Sequence, residues 1–210
     1  MIKIFVADDH ALIREGIKKT LRDEPDLQVV GDASNGAELL SKIGVLPVDL
    51  LILDIMMPGK DGLEVLRQLR KSCPKLPILI LSLYAEETMA ARAFKAGAAG
   101  YLTKESAPEE LVRAIRKVAS GRKYLSPLFA ETLVDYLQKG TEKPSHETLS
   151  DRELQVLCMI ARGKTVTEIA KELSLSVATV NTYRSRILQK MQLKTSAALV
   201  HYAIRNRLVE

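Results

Sequence analysis

The chain has 210 residues, 47% of them apolar, which is enough to bury one large or two modest cores, and it lacks the run of about 18 uncharged apolar residues that a membrane span requires. Its net charge of +5 is unevenly placed: residues 1–148 hold 21 Lys/Arg against 21 Asp/Glu, whereas residues 149–210 hold 10 against 5, so a polyanion partner is expected for the tail. Two cysteines, Cys73 and Cys158, lie far apart in no CxxC or Cys/His spacing, which argues against disulfides and structural zinc and fits a cytoplasmic setting.

The first residues read straight into a strand and not into a signal peptide. Strand-like and helix-like segments then alternate: strand 2–7, helix 11–21, strand 28–32, helix 37–43, strand 49–54, helix 63–70, strand 78–82, helix 86–95, strand 100–102, helix 109–120. Gly97 and Gly121 end the last two helices. Regular alternation with short connections means parallel strands, right-handed crossovers and helices on both faces. Five such units over residues 1–121 predict an α/β domain of flavodoxin-like type, a doubly wound five-strand parallel sheet.

The continuous apolar run Leu50, Leu51, Ile52, Leu53 suits a strand buried on both faces, and it stops at Asp54. Pro58-Gly59 and Asp61-Gly62 then turn the chain. Alone, Asp54 reads as a turn cap. A second acidic site, Asp8-Asp9, at the same end of the first strand changes that reading. Ser82 ends the fourth strand and Lys104 follows the fifth, and such strand ends converge at one edge of a doubly wound sheet. Three carboxylates gathered there repel unless a hard cation neutralises them, and an all-oxygen set suits Mg²⁺. A lysine and a hydroxyl beside them suit a phosphoryl oxygen.

The set Asp8, Asp9, Asp54, Ser82 and Lys104 resembles the receiver domain of two-component response regulators. The resemblance implies that Asp54 accepts a phosphoryl group from a cognate histidine kinase. It implies too that Asp9 and Asp54 hold Mg²⁺, with Asp8 nearby and the Met56 backbone carbonyl completing the site. Ser82 and Lys104 would contact the phosphoryl oxygens, and Tyr101 matches the aromatic switch position, although a tyrosine there also reads as ordinary packing. Phosphorylation adds charge and acceptor oxygens, so Ser82 is expected to move inward, admitting the Tyr101 ring and remodelling the face formed by residues 86–120. Tyr84 and Met56 are expected to shield the phosphoryl group from water.

Residues 122–148 read as a linker, Gly- and Pro-containing near its end, that holds a helix at 128–138; this helix either docks on a domain or pairs between protomers. His10, His146 and His201 have no metal-spaced partners and read as non-ligands.

Residues 149–210 predict an all-α four-helix domain. Ser150 and Glu153 have capping-box spacing ahead of the first helix, which Gly163 closes; helices at 167–173, 177–191 and 195–207 follow. Two short helices joined by a tight turn in a basic domain suggest a helix-turn-helix. On the helix at 177–191, Val180, Tyr183, Ile187 and Met191 form an apolar stripe, opposite Ala178, Asn181, Thr182, Ser185 and Gln189. Small polar side chains there fit base edges in a major groove better than an ordinary solvated face. Asn181, Thr182 and Ser185 are therefore expected at bases, and Lys164, Thr165, Tyr183, Arg184 and Arg186 at phosphates.

The tail also resembles the LuxR-type helix-turn-helix of NarL/FixJ response regulators, through Leu149-Ser150, Arg152-Glu153, Val156, Gly163 to Ala170, Leu175-Ser176, Thr179-Val180, Thr182-Tyr183, Ile187 and Lys190-Met191. That family often carries Lys or His at the positions of Asn181 and Tyr183, so base preference does not transfer. The resemblance implies a phosphorylation-controlled transcription regulator, not an enzyme, that binds double-stranded DNA at paired half-sites, with homodimerisation on phosphorylation. The rival readings are a small-phosphoester phosphatase and a DNA-binding protein with a passive dimerisation module.

Overall fold

In the computed structural model, residues 1–58, 62–82, 87–126, 145–206 and 208–209 are described. The chain divides into two compact units, Met1–Asp135 and Tyr136–Glu210. The expected helix at 128–138, Leu83 and Tyr84 lie outside the described residues.

In the first unit, β1 (Ile2–Ala7), α1 (Ala11–Arg22), β2 (Leu27–Ala33), α2 (Gly36–Lys42), β3 (Leu50–Asp54), α3 (Gly62–Ser72), β4 (Ile78–Ser82), α4 (Glu87–Lys95), β5 (Gly100–Thr103) and α5 (Pro108–Ala119) alternate as predicted, with ends shifted by one or two residues. All strands are parallel, in the order β2-β1-β3-β4-β5. β3 and β4 are buried along their whole length, as their unbroken apolar sequences require. Alternate residues of the central strands (Ile4, Val6, Ile52, Leu79, Leu81) join Ile17 and Leu21 of α1 and Leu111, Ile115 and Val118 of α5 in one core. The strand order reverses between β1 and β3, so the C-terminal ends of these two neighbours form the crevice where open α/β sheets bind ligands.

The first unit extends past the expected boundary at residue 121. Tyr124 forms a parallel bridge with Gly100, its N–H donating to Ala99 O at 3.0 Å while Tyr101 N–H donates to Tyr124 O at 3.2 Å. Lys123 Nζ donates to Ala98 O at 2.8 Å, and Tyr124 Oη to Glu110 Oε1 at 3.1 Å. Residues 122–126 thus cover the free edge of β5, whose unpaired backbone groups would otherwise be exposed.

In the second unit, a 3-10 turn (Ser145–Thr148) precedes α6 (Asp151–Ala161), α7 (Val166–Glu172), α8 (Val177–Lys190) and α9 (Ser196–Arg205). Each helix has a side-chain N-cap: Ser150 and Thr165 form complete capping boxes, and Ser176 and Thr195 each accept an N–H three residues on. Leu154, Leu157, Ile169, Val180, Ile187, Leu199 and Ala203 are buried between the four helices. His146, expected in the linker, is instead buried in this unit, where Nδ1 lies 2.9 Å from Tyr202 Oη.

Candidate functional site

Each acidic residue of the crevice is placed by a strand end. Asp8 follows β1 and is 1% exposed; Asp54 ends β3 and is fully buried. Asp54 Oδ1 accepts from Met56 N–H at 2.9 Å, and Asp8 Oδ1 from His10 N–H at 2.8 Å, so each carboxylate is braced by the turn that follows it. Lys104 reaches in from the β5 side and its Nζ lies 2.7 Å from both Asp8 Oδ2 and Asp54 Oδ2. Its amide also donates to Ser82 O at 2.7 Å, and Ser82 is fully buried. Asp8, Asp9, Asp54, Ser82 and Lys104 are therefore gathered at one edge, as the strand-end reading required.

The electrostatics follow from burial. Desolvation pushes the Asp54 carboxyl up to about 6, the Asp8 charge adds to this, and Lys104 opposes it. Burial works against the Lys104 ammonium as well, yet Asp54 and Asp8 hold its pKa above the ordinary lysine value. One lysine thus faces two buried carboxylates, with Asp9 beside them, a set that fits a divalent oxygen-preferring cation.

Two residues that the sequence reading did not assign also shape the crevice. Arg14 of α1 donates from Nη1 to Asp8 O at 2.7 Å and from Nε to Asp32 Oδ2 at 2.9 Å, fixing the backbone that carries the acidic pair. His10, read as a non-ligand, has Nδ1 2.8 Å from Asp9 Oδ1 and 3.3 Å from Asp8 Oδ1. Adjacency to two acids was the available signal for His10. Nothing in the sequence marked Arg14, whose partner lies 18 residues away. Gly62 packs so closely that an added Cβ would lie 2.5 Å from Ile55 Cα and 2.7 Å from Asp54 O. Tyr101 is 2% exposed on β5, its ring turned into the unit.

In the second unit, α8 presents the two faces that its spacing predicts. Val180, Ile187 and Met191 are buried, and Ala178, Asn181, Thr182, Ser185, Arg186 and Gln189 are exposed. Thr182 Oγ1 donates to Ala178 O at 3.0 Å, and Arg184 is half-buried with no protein acceptor for its Nε among the described residues. Lys164 pairs with Glu172, and the Thr165 hydroxyl donates to Glu168 at 2.7 Å, so both are engaged within the unit. The turn before α8 holds Ser174 at φ 53, a left-handed conformation, which sets the angle between α7 and α8. Buried Glu153 accepts from Ser150 N–H at 2.7 Å and from Lys190 Nζ at 2.6 Å, tying the end of α8 to the start of α6.

Known proteins resemble both units. The response regulator receiver domain family matches residues 4–116, and the LuxR family of bacterial regulatory proteins matches residues 147–203. Response regulator UvrY of Escherichia coli K12 is 40% identical over 210 residues, covering 99% of this chain and 96% of its own. Response regulator GacA of Pseudomonas aeruginosa is 40% identical over 211 residues, covering 100% of this chain and 99% of its own. Among solved structures, RcsB of Salmonella enterica serovar Typhimurium, bound to promoter P1flhDC with the phosphomimetic BeF3-, superposes with a TM-score of 0.68 at 26% identity, covering 96% of this chain and 97% of that one.

Proposed function

The chain is a response regulator of the NarL/FixJ family, a receiver joined to a LuxR-type helix-turn-helix, and from that premise we propose the chemistry of its two sites. It is a transcription regulator under phosphorylation control, and its reaction is confined to its own receiver. Asp54 is the acceptor: a carboxylate oxygen forms the O–P bond as the P–N bond of a kinase phosphohistidine breaks and the imidazole leaves with the bonding pair. Asp9, Asp54 and the Met56 carbonyl hold Mg²⁺, with Asp8 close by. The donor set fits, because buried carboxylates outnumber the one lysine that faces them. The ion supplies charge neutralisation for incoming phosphoryl oxygens.

The observation that carries this reading is the position of Lys104, 2.7 Å from both Asp54 and Asp8 and 2% exposed. A lysine so buried is already in place to follow a phosphoryl oxygen when Asp54 gains one. Ser82, fully buried at the end of β4, supplies the second contact, and Tyr101 on the neighbouring strand transmits the change. The domains divide at 1–121, a linker at 122–148 and 149–210, with residues 122–126 serving as the sheet edge.

In the tail, Asn181, Thr182 and Ser185 read bases, while Arg184, Arg186, Tyr183, Lys164 and Thr165 contact phosphates. Arg184, with an unmet Nε, is the readiest phosphate ligand, and Lys164 first gives up Glu172. Binding is to paired half-sites by a homodimer formed on phosphorylation, and the setting is cytoplasmic. No described helix is long and apolar enough to cross a membrane.

Intact-protein mass after incubation with acetyl phosphate tests the receiver chemistry. One phosphoryl adduct that needs Mg²⁺ and is absent from Asp54→Ala is expected. Steady release of inorganic phosphate with no labelled protein at any time would favour a phosphatase instead.

A further inference from the structure

Asp8, Asp9, His10 and Asp54 each present a donor atom within 4.8 Å of all the others, so an imidazole nitrogen belongs to the acid cluster. The donor atoms are also sorted by direction. The Oδ2 atoms of Asp8 and Asp54 face Lys104, whereas Oδ1 of Asp8 and Oδ1 of Asp9 converge on His10 Nδ1 at 3.3 and 2.8 Å. Three donor atoms surround the spot that a proton on Nδ1 now fills. Ligands at about 2.0–2.2 Å from Zn²⁺ or a similar ion lie roughly 3 Å from their neighbours, the spacing seen here.

The His10 side chain is half exposed and makes no cap bond to α1, so it can adjust toward an ion without breaking the fold. Nothing else in the crevice is a nitrogen ligand, since Lys104 is held as an ammonium.

We propose that His10 is a conditional ligand, which makes the receiver crevice a site for borderline transition ions (Co²⁺, Ni²⁺ or Zn²⁺) as well as for Mg²⁺. Mg²⁺ takes oxygen donors and gains nothing from an imidazole, whereas affinity rises along the first-row series when a nitrogen is added. The crevice thus distinguishes two classes of cation through one side chain. The inference rests on the acid crevice of the proposed function and adds to it a residue and a class of ion.

The test is titration of the whole chain with Co²⁺, read by visible absorption, and separately with Mg²⁺, read by calorimetry, for the native protein, His10→Ala and Asp9→Asn. His10→Ala is expected to weaken Co²⁺ at least about tenfold and to alter the Co²⁺ ligand-field bands, while changing Mg²⁺ affinity less than about twofold. Asp9→Asn is expected to weaken both ions. Equal Co²⁺ affinity and unchanged bands in His10→Ala would overturn the assignment, as would equal losses for both ions. If Mg²⁺ binding did not depend on Asp9, the cation crevice of the proposed function would itself fall. If Mg²⁺ needed Asp9 and Co²⁺ ignored His10, only the present inference would fall.

Discussion

Asp54 carries its charge in a buried place, and without a cation that charge burdens the folded state. Burial, with Asp8 adding to it, holds the carboxyl at about 6 against an ordinary 3.8, even with Lys104 opposing. A gap of about two units, at about 1.4 kcal/mol each, corresponds to a cost on the order of 3 kcal/mol for the ionised form. The folded state holds this proton more tightly than the unfolded chain does. Stability from this group is therefore highest in acid, falls as pH rises from about 4 to about 6, and stays low at neutral pH. Asp54→Asn removes the charge at nearly constant size and leaves Lys104 its partner Asp8 at 2.7 Å. Allowing for the lost Lys104–Asp54 pair, the variant is expected to be about 1–3 kcal/mol more stable at pH 7.5 in chelator, with the gap closing by pH 4.5. Urea unfolding followed by hydrogen exchange on the peptide Leu50–Asp54 reads the receiver alone within the whole chain. A gap of the same size at both pH values, or a variant less stable at pH 7.5, would refute the reasoning.

Three further outcomes follow from particular contacts. Gly62→Ala places a Cβ 2.5 Å from Ile55 Cα, so the turn bearing Met56 must shift, and Asp54 labelling by acetyl phosphate is expected to slow at least about tenfold. Arg184→Ala is expected to weaken DNA binding on every sequence and to reduce the salt slope by about one, whereas Asn181→Ala blurs base preference; binding isotherms at several salt concentrations separate the two. Glu153→Gln keeps an acceptor for Ser150 N–H but loses the ion pair to Lys190, and is expected to cost the second unit about 1–2 kcal/mol by thermal unfolding. Burial opposes ionisation of Glu153, but Lys190 and Ser150 prevail and hold its pKa below 4.5, so the difference is present above pH 4.5 and fades as acid protonates it.

The alternating apolar runs made the five-strand sheet legible, because strands such as β3 must be apolar throughout to be buried on both faces. Parallel strands joined by crossovers place their C-terminal ends together, which is why Asp8, Asp54, Ser82 and Lys104 could be grouped before any coordinates were available. The faces of α8 followed from helical period alone. What stayed hidden depends on contacts between distant positions. Tyr124 reads as linker because only β5, brought back by the whole fold, makes it an edge residue. His146 sits among polar linker residues, and its partner Tyr202 is 56 positions away. Arg14 has the composition of any surface helix arginine until β2 brings Asp32 alongside. Sequence pattern reports which face is apolar; it does not report which polar groups meet across a fold.

The central claim is that phosphorylation of Asp54 governs DNA binding by the tail. Its most direct test is the affinity of the whole chain for operator fragments selected from genomic DNA, with and without acetyl phosphate and Mg²⁺, beside Asp54→Asn. The account predicts at least a tenfold gain on phosphorylation, present in the native chain and absent from the variant. Equal affinity in all four conditions, with the native chain labelled at Asp54, would contradict it.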